Sequence, residues 1–188
     1  MDVFHLSHTD LDGYGCQLVT DEIFKDIKFY NSNYGEEVNF RIGQIFADIE
    51  KSSSKDILIL ITDLNLNKDE SKKIDKLVKN HKEKNITLTL LDHHASGEES
   101  SHVYEWYNLD TARCASKITY DYFLEQKPKK VSKARWLKPT VDMINAIDIW
   151  LDEDRYFEFG KVAMRLINET RELNRYMFDS EHREYKLK

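Results

Sequence analysis

The sequence predicts an α/β domain: a mostly parallel sheet flanked by helices, with a helical C-terminal part. Three observations carry that expectation. Four short apolar stretches, 3–6, 27–30, 56–61 and 86–91, read as strands separated by helical or polar segments, and such alternation is the pattern of parallel sheets. After its leading Asp56, the third stretch, DILILI, is an unbroken run of isoleucine and leucine, as a strand covered on both faces requires. From Asp110 onward the apolar spacing turns helical.

Taken in order, VFHL at 3–6 runs directly into His8-Thr9-Asp10-Leu11-Asp12-Gly13. Gly13 and Gly15 are expected to break this strand, which leaves 16–24 as the first helix. A second strand at 27–30 precedes the third at 56–61, which stops at Thr62-Asp63. The segment 67–83 is a polar, lysine-rich helix with apolar positions at Ile74, Leu77 and Val78. ITLTLL at 86–91 ends in Asp92-His93-His94, and 102–107 offers one more short strand. Asp110 or Thr111 suits the N-cap of a helix reaching residue 125. A loop surrounds Pro128, Pro139 starts a helix through 150, and a last helix covers 155–177. Residues 1–154 are read as one domain and 155–188 as a helical extension or connector.

Of the 188 residues 40% are hydrophobic, enough for one sizeable core, and the formal net charge is −6. An acidic chain is a poor general nucleic-acid binder, because duplex affinity rests on neutralising phosphates with Lys and Arg. Phosphate chemistry, if present, must therefore be local, through metal ions or a confined basic patch. The stretch 127–138 holds Lys127, Lys129, Lys130, Lys133, Arg135 and Lys138. It reads either as a solvated loop or as a patch receiving a phosphate-bearing substrate. Cys16 and Cys114 form no CxxC pair and read as free, buried packing thiols in a reducing compartment. With no signal-peptide pattern at MDVFHLSHTD and no membrane-length apolar run, a cytoplasmic protein without membrane association is expected.

Three strand candidates end at the same side in carboxylates or histidines: His8, Asp10 and Asp12; Asp63; and Asp92, His93 and His94. Ligands of open parallel sheets bind beyond the carboxyl ends of the strands, so these clusters are expected to meet in one crevice. Oxygen and imidazole donors without thiolate suit divalent ions such as Mn²⁺, and crowded carboxylates repel unless cations lie between them. Two metals roughly 3.5–4 Å apart can clamp a phosphoryl group during in-line attack. The chain has neither a Walker-type glycine loop nor a GxSxG elbow, so phosphate-cradle nucleotide binding and serine acyl transfer are poorly supported.

Here the sequence resembles the DHH phosphoesterases. His8-Thr9-Asp10-Leu11-Asp12-Gly13 is similar to their first motif, Asp63 after DILILIT to the second, Asp92-His93-His94 to the third, and Asp148 within Ala-Ile-Asp-Ile-Trp to the fourth. Asp152, one helical turn on, competes with Asp148. The resemblance implies one metal held by His8, Asp10 and Asp63 and a second held by Asp12, Asp63, His93 and Asp148, with Asp63 bridging. It implies two Mn²⁺ ions, with Mg²⁺ or Co²⁺ as substitutes. His94 would contact the scissile phosphate or protonate the leaving oxygen, and Asp92 would orient ligands from behind. Arg113, near a helix start bordering the crevice, is a candidate phosphate contact. The His-x-Asp-x-Asp-Gly spacing is most similar to the oligoribonuclease and RecJ-like exonuclease branches. The implied activity is hydrolysis of short single-stranded oligonucleotides to 5′-mononucleotides by metal-activated water. Hydrolysis of a smaller phosphate compound (a cyclic dinucleotide, pyrophosphate or a nucleotide monophosphate) is the alternative, and a non-catalytic nucleotide-binding module a third. Family nucleases carry a second, substrate-gripping C-terminal domain, and nothing after Met177 resembles one. A homodimer is a further expectation.

Overall fold

The computed structural model describes residues 1–126 and 134–178, with side-chain surroundings up to residue 169. Lys127, Lys129, Lys130 and Lys133 of the basic stretch lie outside the described residues. Within it, Arg135 is exposed and Lys138 pairs with Asp142 one helical turn on.

Five parallel strands form a single sheet in the order β2-β1-β3-β4-β5. They are β1 (Asp2–His8), β2 (Ile27–Ser32), β3 (Asp56–Thr62), β4 (Asn85–Asp92) and β5 (Tyr107–Leu109). The helices are α1 (Leu11–Ile23), α2 (Glu36–Lys51), α3 (Lys68–Asn80), the single turn α4 (Glu98–Ser101), α5 (Ala115–Gln126), α6 (Lys138–Asp148) and α7 (Phe157–Phe178). Side chains alternate across the sheet as the strand period of two dictates. Phe4, Leu6, Ile57, Ile59 and Ile61 pack with α2 and α3, while Val3, Leu58 and Leu60 pack with α1, α5 and the start of α6. The sheet is thus covered on both faces, which is why DILILI needs no polar positions.

Four elements differ from expectation. Gly13 and Gly15 do not break β1 from a later helix; they lie inside α1, which begins at Leu11 with Asp10 as its N-cap. Both lie where a neighbour approaches closely, backbone at Gly13 and side chain at Gly15. A Cβ on Gly13 would lie 2.3 Å from the His8 carbonyl oxygen, and one on Gly15 would lie 2.6 Å from Cδ1 of Ile144. The helix α2 was not foreseen. It starts at Gly35 without a side-chain cap, so its sequence signals are the period of Val38, Ile42, Ile45, Phe46 and Ile49, all buried, and the charges of its ends, Glu36 and Glu37 in the first turn and Lys51 in the last. The fifth strand is Tyr107–Leu109 rather than 102–107, because Glu98–Ser101 coils into a turn first. The helix expected from Asp110 starts only at Ala115, since the Asp110 side chain closes a local turn by accepting the Ala112 N–H at 2.9 Å.

Two helix ends lie beside aspartates of the first and fourth motifs. The first N–H groups of α5 are capped from 103 residues away: Asp12 Oδ2 accepts from Ala115 N at 2.7 Å and Oδ1 from Ser116 N at 2.8 Å. The helix α6 ends on Asp148, and Leu151 N and Trp150 N donate back to the carbonyls of Ala146 and Ile147. This closure places Trp150 at φ 58° and turns the chain sharply after Asp148.

Candidate metal centre

The strands β1 and β3 are neighbours, with β2 beyond one and β4 beyond the other. The direction of chain progress reverses between them, and this switch point is where a crevice opens at the carboxyl edge. His8 ends β1, Asp63 follows β3 and Asp92 ends β4. All the nominated ligands converge there.

Three groups of side chains each bring their donor atoms within 4.8 Å of one another: His8, Asp10 and Asp63; Asp12, His93 and Asp148; and Asp63, His93 and His94. His8 Nδ1 lies 2.7 Å from Asp10 Oδ2 and 3.7 Å from Asp63 Oδ2. His93 Nε2 is ringed by Asp63 Oδ1 at 3.3 Å, Asp148 Oδ2 at 3.4 Å and Asp12 Oδ2 at 3.8 Å. Asp63 therefore faces both histidines, one with each carboxylate oxygen. Asp152 is exposed on the turn after α6, so the choice between it and Asp148 falls on Asp148.

Local backbone explains these placements. Asp10 is extended (φ −121°, ψ −170°) and accepts the Gly13 N–H through Oδ1, which leaves Oδ2 toward His8. Asp63 has φ 55°, a left-handed conformation that Asp and Asn tolerate better than most residues. Its N–H donates to the Leu91 carbonyl at 3.1 Å, fixing the turn against β4. Below the centre His5, fully buried, lies 2.9 Å from Thr20 Oγ1 and 2.8 Å from Thr62 Oγ1, and Thr62 meets Ser7 Oγ at 2.7 Å. Ser7 also donates to the Gly13 carbonyl. This chain of hydroxyls ties β1, β3 and the first turn of α1 into one rigid floor.

The charges are balanced only in part. Burial pushes the Asp63 carboxyl well above its usual range, with Asp12 adding to the effect, and burial with Asp12 raises Asp148 to about 7. Burial opposes charge on His8, but the Asp10 and Asp63 carboxylates outweigh it and raise the imidazole to about 9. Asp63 Oδ2 and Asp148 Oδ2 are buried without a hydrogen-bond partner. An orphaned buried acceptor costs on the order of 1–3 kcal/mol, so two of them among carboxylates fit a site shaped for cations.

His94 is placed differently. Its Nδ1 lies 2.7 Å from Asp92 Oδ1, and the buried Asp92 takes the Tyr107 hydroxyl on Oδ2 at 3.0 Å. Its Nε2 meets the Tyr34 hydroxyl at 3.0 Å. Tyr34 and Tyr107 were not nominated from the sequence. The rule that ligands sit at carboxyl ends, applied to the loop after β2 as well, would have drawn attention to Tyr34. Arg113 is committed elsewhere: it forms ion pairs with Asp110 and Asp121, both at 2.6 Å. Cys16 and Cys114 are free and buried.

Fold and centre together define a doubly wound α/β domain with an acid–histidine cluster at its switch point that could hold metal ions. The chain belongs to the DHH family: the model of the DHH family, N-terminal domain, matches residues 2–144. It is 48% identical over its whole length to a 3′,5′-cyclic-nucleotide phosphodiesterase of Helicobacter pylori (strain ATCC 700392 / 26695), covering 55% of that protein. Over 87% of its length it is 30% identical to oligoribonuclease NrnB of Bacillus subtilis (strain 168), covering 40% of that protein. It superposes with TM-score 0.86 on the crystal structure of an uncharacterized protein from Helicobacter pylori G27, at 48% identity over the whole chain and 55% of the other. The chain thus spans about half the length of the relatives it matches. Among the described residues no helix is long and apolar enough to cross a membrane.

Proposed function

We propose that this chain is the catalytic part of a two-metal-dependent phosphodiesterase that hydrolyses short oligonucleotides to 5′-mononucleotides. One observation carries the reading: Asp63 and Asp148 each bury a carboxylate oxygen without a hydrogen-bond partner inside a ring of acids and imidazoles. His8, Asp10 and Asp63 would hold one ion, and Asp12, Asp63, His93 and Asp148 the other, a donor set suited to Mn²⁺. A bound pair neutralises phosphoryl charge and makes water a competent nucleophile at neutral pH.

The protein's own groups supply position. Asp12 is pinned by two N–H groups of α5 and holds its place without help from a metal. Asp92, itself held by Tyr107, fixes the His94 ring, so that Nε2 is the nitrogen available to the scissile group or the leaving oxygen. The segment 155–188 serves in this reading as the connector toward a second substrate-gripping lobe.

A 3′,5′-cyclic nucleotide is the second substrate class, favoured by the 48% relative whose similarity covers the entire chain. Both classes present a phosphodiester to the same centre, but the oligonucleotide is linear and is cut into two products, whereas the cyclic nucleotide is opened to a single mononucleotide. The test is Mn²⁺-dependent hydrolysis of a 5′-labelled RNA dinucleotide and pentamer, and of 3′,5′-cyclic AMP, by wild type and Asp63→Ala. Mononucleotide release from the oligomers by wild type only supports the first class. Turnover of the cyclic substrate alone moves the assignment to the second, and hydrolysis by Asp63→Ala at the wild-type rate refutes the metal reading.

A further inference from the structure

The loop between β2 and α2 lays one aromatic side chain across the metal centre. Tyr34 lies tilted against His8 with ring centroids 4.6 Å apart and an interplanar angle of 40°, and it meets His94 edge-on at 5.7 Å. The end of β2 and the loop are laced to the end of β1: Asn31 Nδ2 of β2 donates to the His8 carbonyl at 3.2 Å, and Thr9 Oγ1 donates to Asn33 Oδ1 of the loop at 2.9 Å. Glu37 holds the other side of the loop through Asn33 N and Nδ2. Gly35, at φ 81°, turns the chain into α2 directly after Tyr34. The ring is thus a fixed wall of the crevice and remains 43% exposed, within reach of solute.

Hydrogen-bond direction gives the hydroxyl its part. Asp92 accepts from Tyr107 on one oxygen and from His94 Nδ1 on the other. With its proton on Nδ1, His94 offers Nε2 as an acceptor, and the Tyr34 O–H donates to it. The surrounding cluster consists of carboxylates and imidazoles, while Arg113 is ion-paired to Asp110 and Asp121. A phosphoryl group entering beside His94 therefore meets the Tyr34 O–H as a ready neutral donor.

We propose that Tyr34 is a substrate-contacting residue: on binding, its hydroxyl leaves His94 Nε2 and donates to a non-bridging phosphoryl oxygen, and Nε2 is freed to face the substrate. This rests on the phosphoesterase reading of the centre. In this exchange the phenol trades one acceptor for another, while His94 Nε2 gives up its donor and is left open toward the substrate.

The test is Tyr34→Phe, which keeps the ring over His8 and removes only the O–H. Binding of inorganic phosphate and of 5′-AMP is measured by calorimetry on Mn²⁺-loaded wild type and variant, with metal content by mass spectrometry. Hydrolysis of the RNA dinucleotide is followed separately. The expected result is unchanged Mn²⁺ content, about ten-fold or greater weakening of both probes, as for loss of a hydrogen bond to a charged group, and a raised KM. Wild-type affinity for both probes in Tyr34→Phe overturns the proposal and leaves the phosphodiesterase reading standing. A wild-type protein that cleaves no diester refutes that reading instead, while the two titrations still decide Tyr34. Binding of neither probe by wild type overturns the inference as well.

Discussion

Replacing Asp63 by Asn should make the metal-free protein more stable and the metal-loaded protein less so. Asp63 is 1% exposed, one of its oxygens is unpartnered, and burial with the nearby Asp12 pushes its carboxyl far above the usual range. Each pH unit of such a shift is about 1.36 kcal/mol against the charged native state, and an orphaned acceptor costs about 1–3 kcal/mol. Asn removes the charge and keeps a side chain that tolerates φ 55°. A gain of about 1–3 kcal/mol is therefore expected without metal, or roughly 2–4 °C in Tm per kcal/mol for a chain of this size. An amide has one acceptor oxygen and cannot bridge two ions. Ligand-linked stabilisation, about 2.7 kcal/mol at a free concentration one hundred times Kd, should fall in the variant to that of one weakly held ion or none. Thermal melts in EDTA and across a Mn²⁺ titration read both effects. A variant that melts below wild type in EDTA, or that keeps the full Mn²⁺-dependent rise, refutes the reasoning and makes Asp63 a structural cap.

Asp12→Asn is the same chemical change with the opposite expected sign. Its two oxygens each accept an α5 N–H, and the amide leaves one of those donors orphaned, so urea unfolding in EDTA should show a loss of about 1–3 kcal/mol. His5 gives a pH signature. Burial lowers its pKa to about 3 from 6.5, so the unfolded chain binds a proton below 6.5 that the native one refuses, and stability falls by about 1.4 kcal/mol per pH unit down to the native value. Asp148, raised to about 7, acts in the opposite sense over the same window in the metal-free protein. The effect is therefore read as the difference between wild type and His5→Gln from pH 7 to 5, and identical slopes would contradict it.

How much was legible depends on the range of each interaction. β1, β3 and β4 declare themselves by local runs of apolar residues, and each is followed within two residues by a group that reaches the centre. A strand tip in a parallel sheet has a fixed direction, so His8, Asp10, Asp12, Asp63 and His93 could be assigned to one crevice from the order of strands and motifs. What sequence reasoning missed has a common cause. The helix α2 has no capping side chain and announces itself only by periodicity and end charges. Gly13 and Gly15 suggest a chain break until the His8 carbonyl and Ile144 are seen to press on them. The start of α5 is set by Asp12, 103 residues earlier, and not by Asp110 beside it.

The sequence by itself determined the fold class, the family and the residue types of the metal cradle, because periodicity and motif order are local properties that survive without a third dimension. Only the tertiary structure decided which neighbours complete the site. It chose Asp148 over Asp152 by placing one at the closing turn of α6 and the other in solvent. It drew Arg113 away to Asp110 and Asp121, and it brought Tyr34 across to His94, 60 residues along the chain. Hydrogen bonds of a few ångströms between residues so far apart leave no spacing to read, since the sheet order that joins them is fixed by packing and not by sequence proximity.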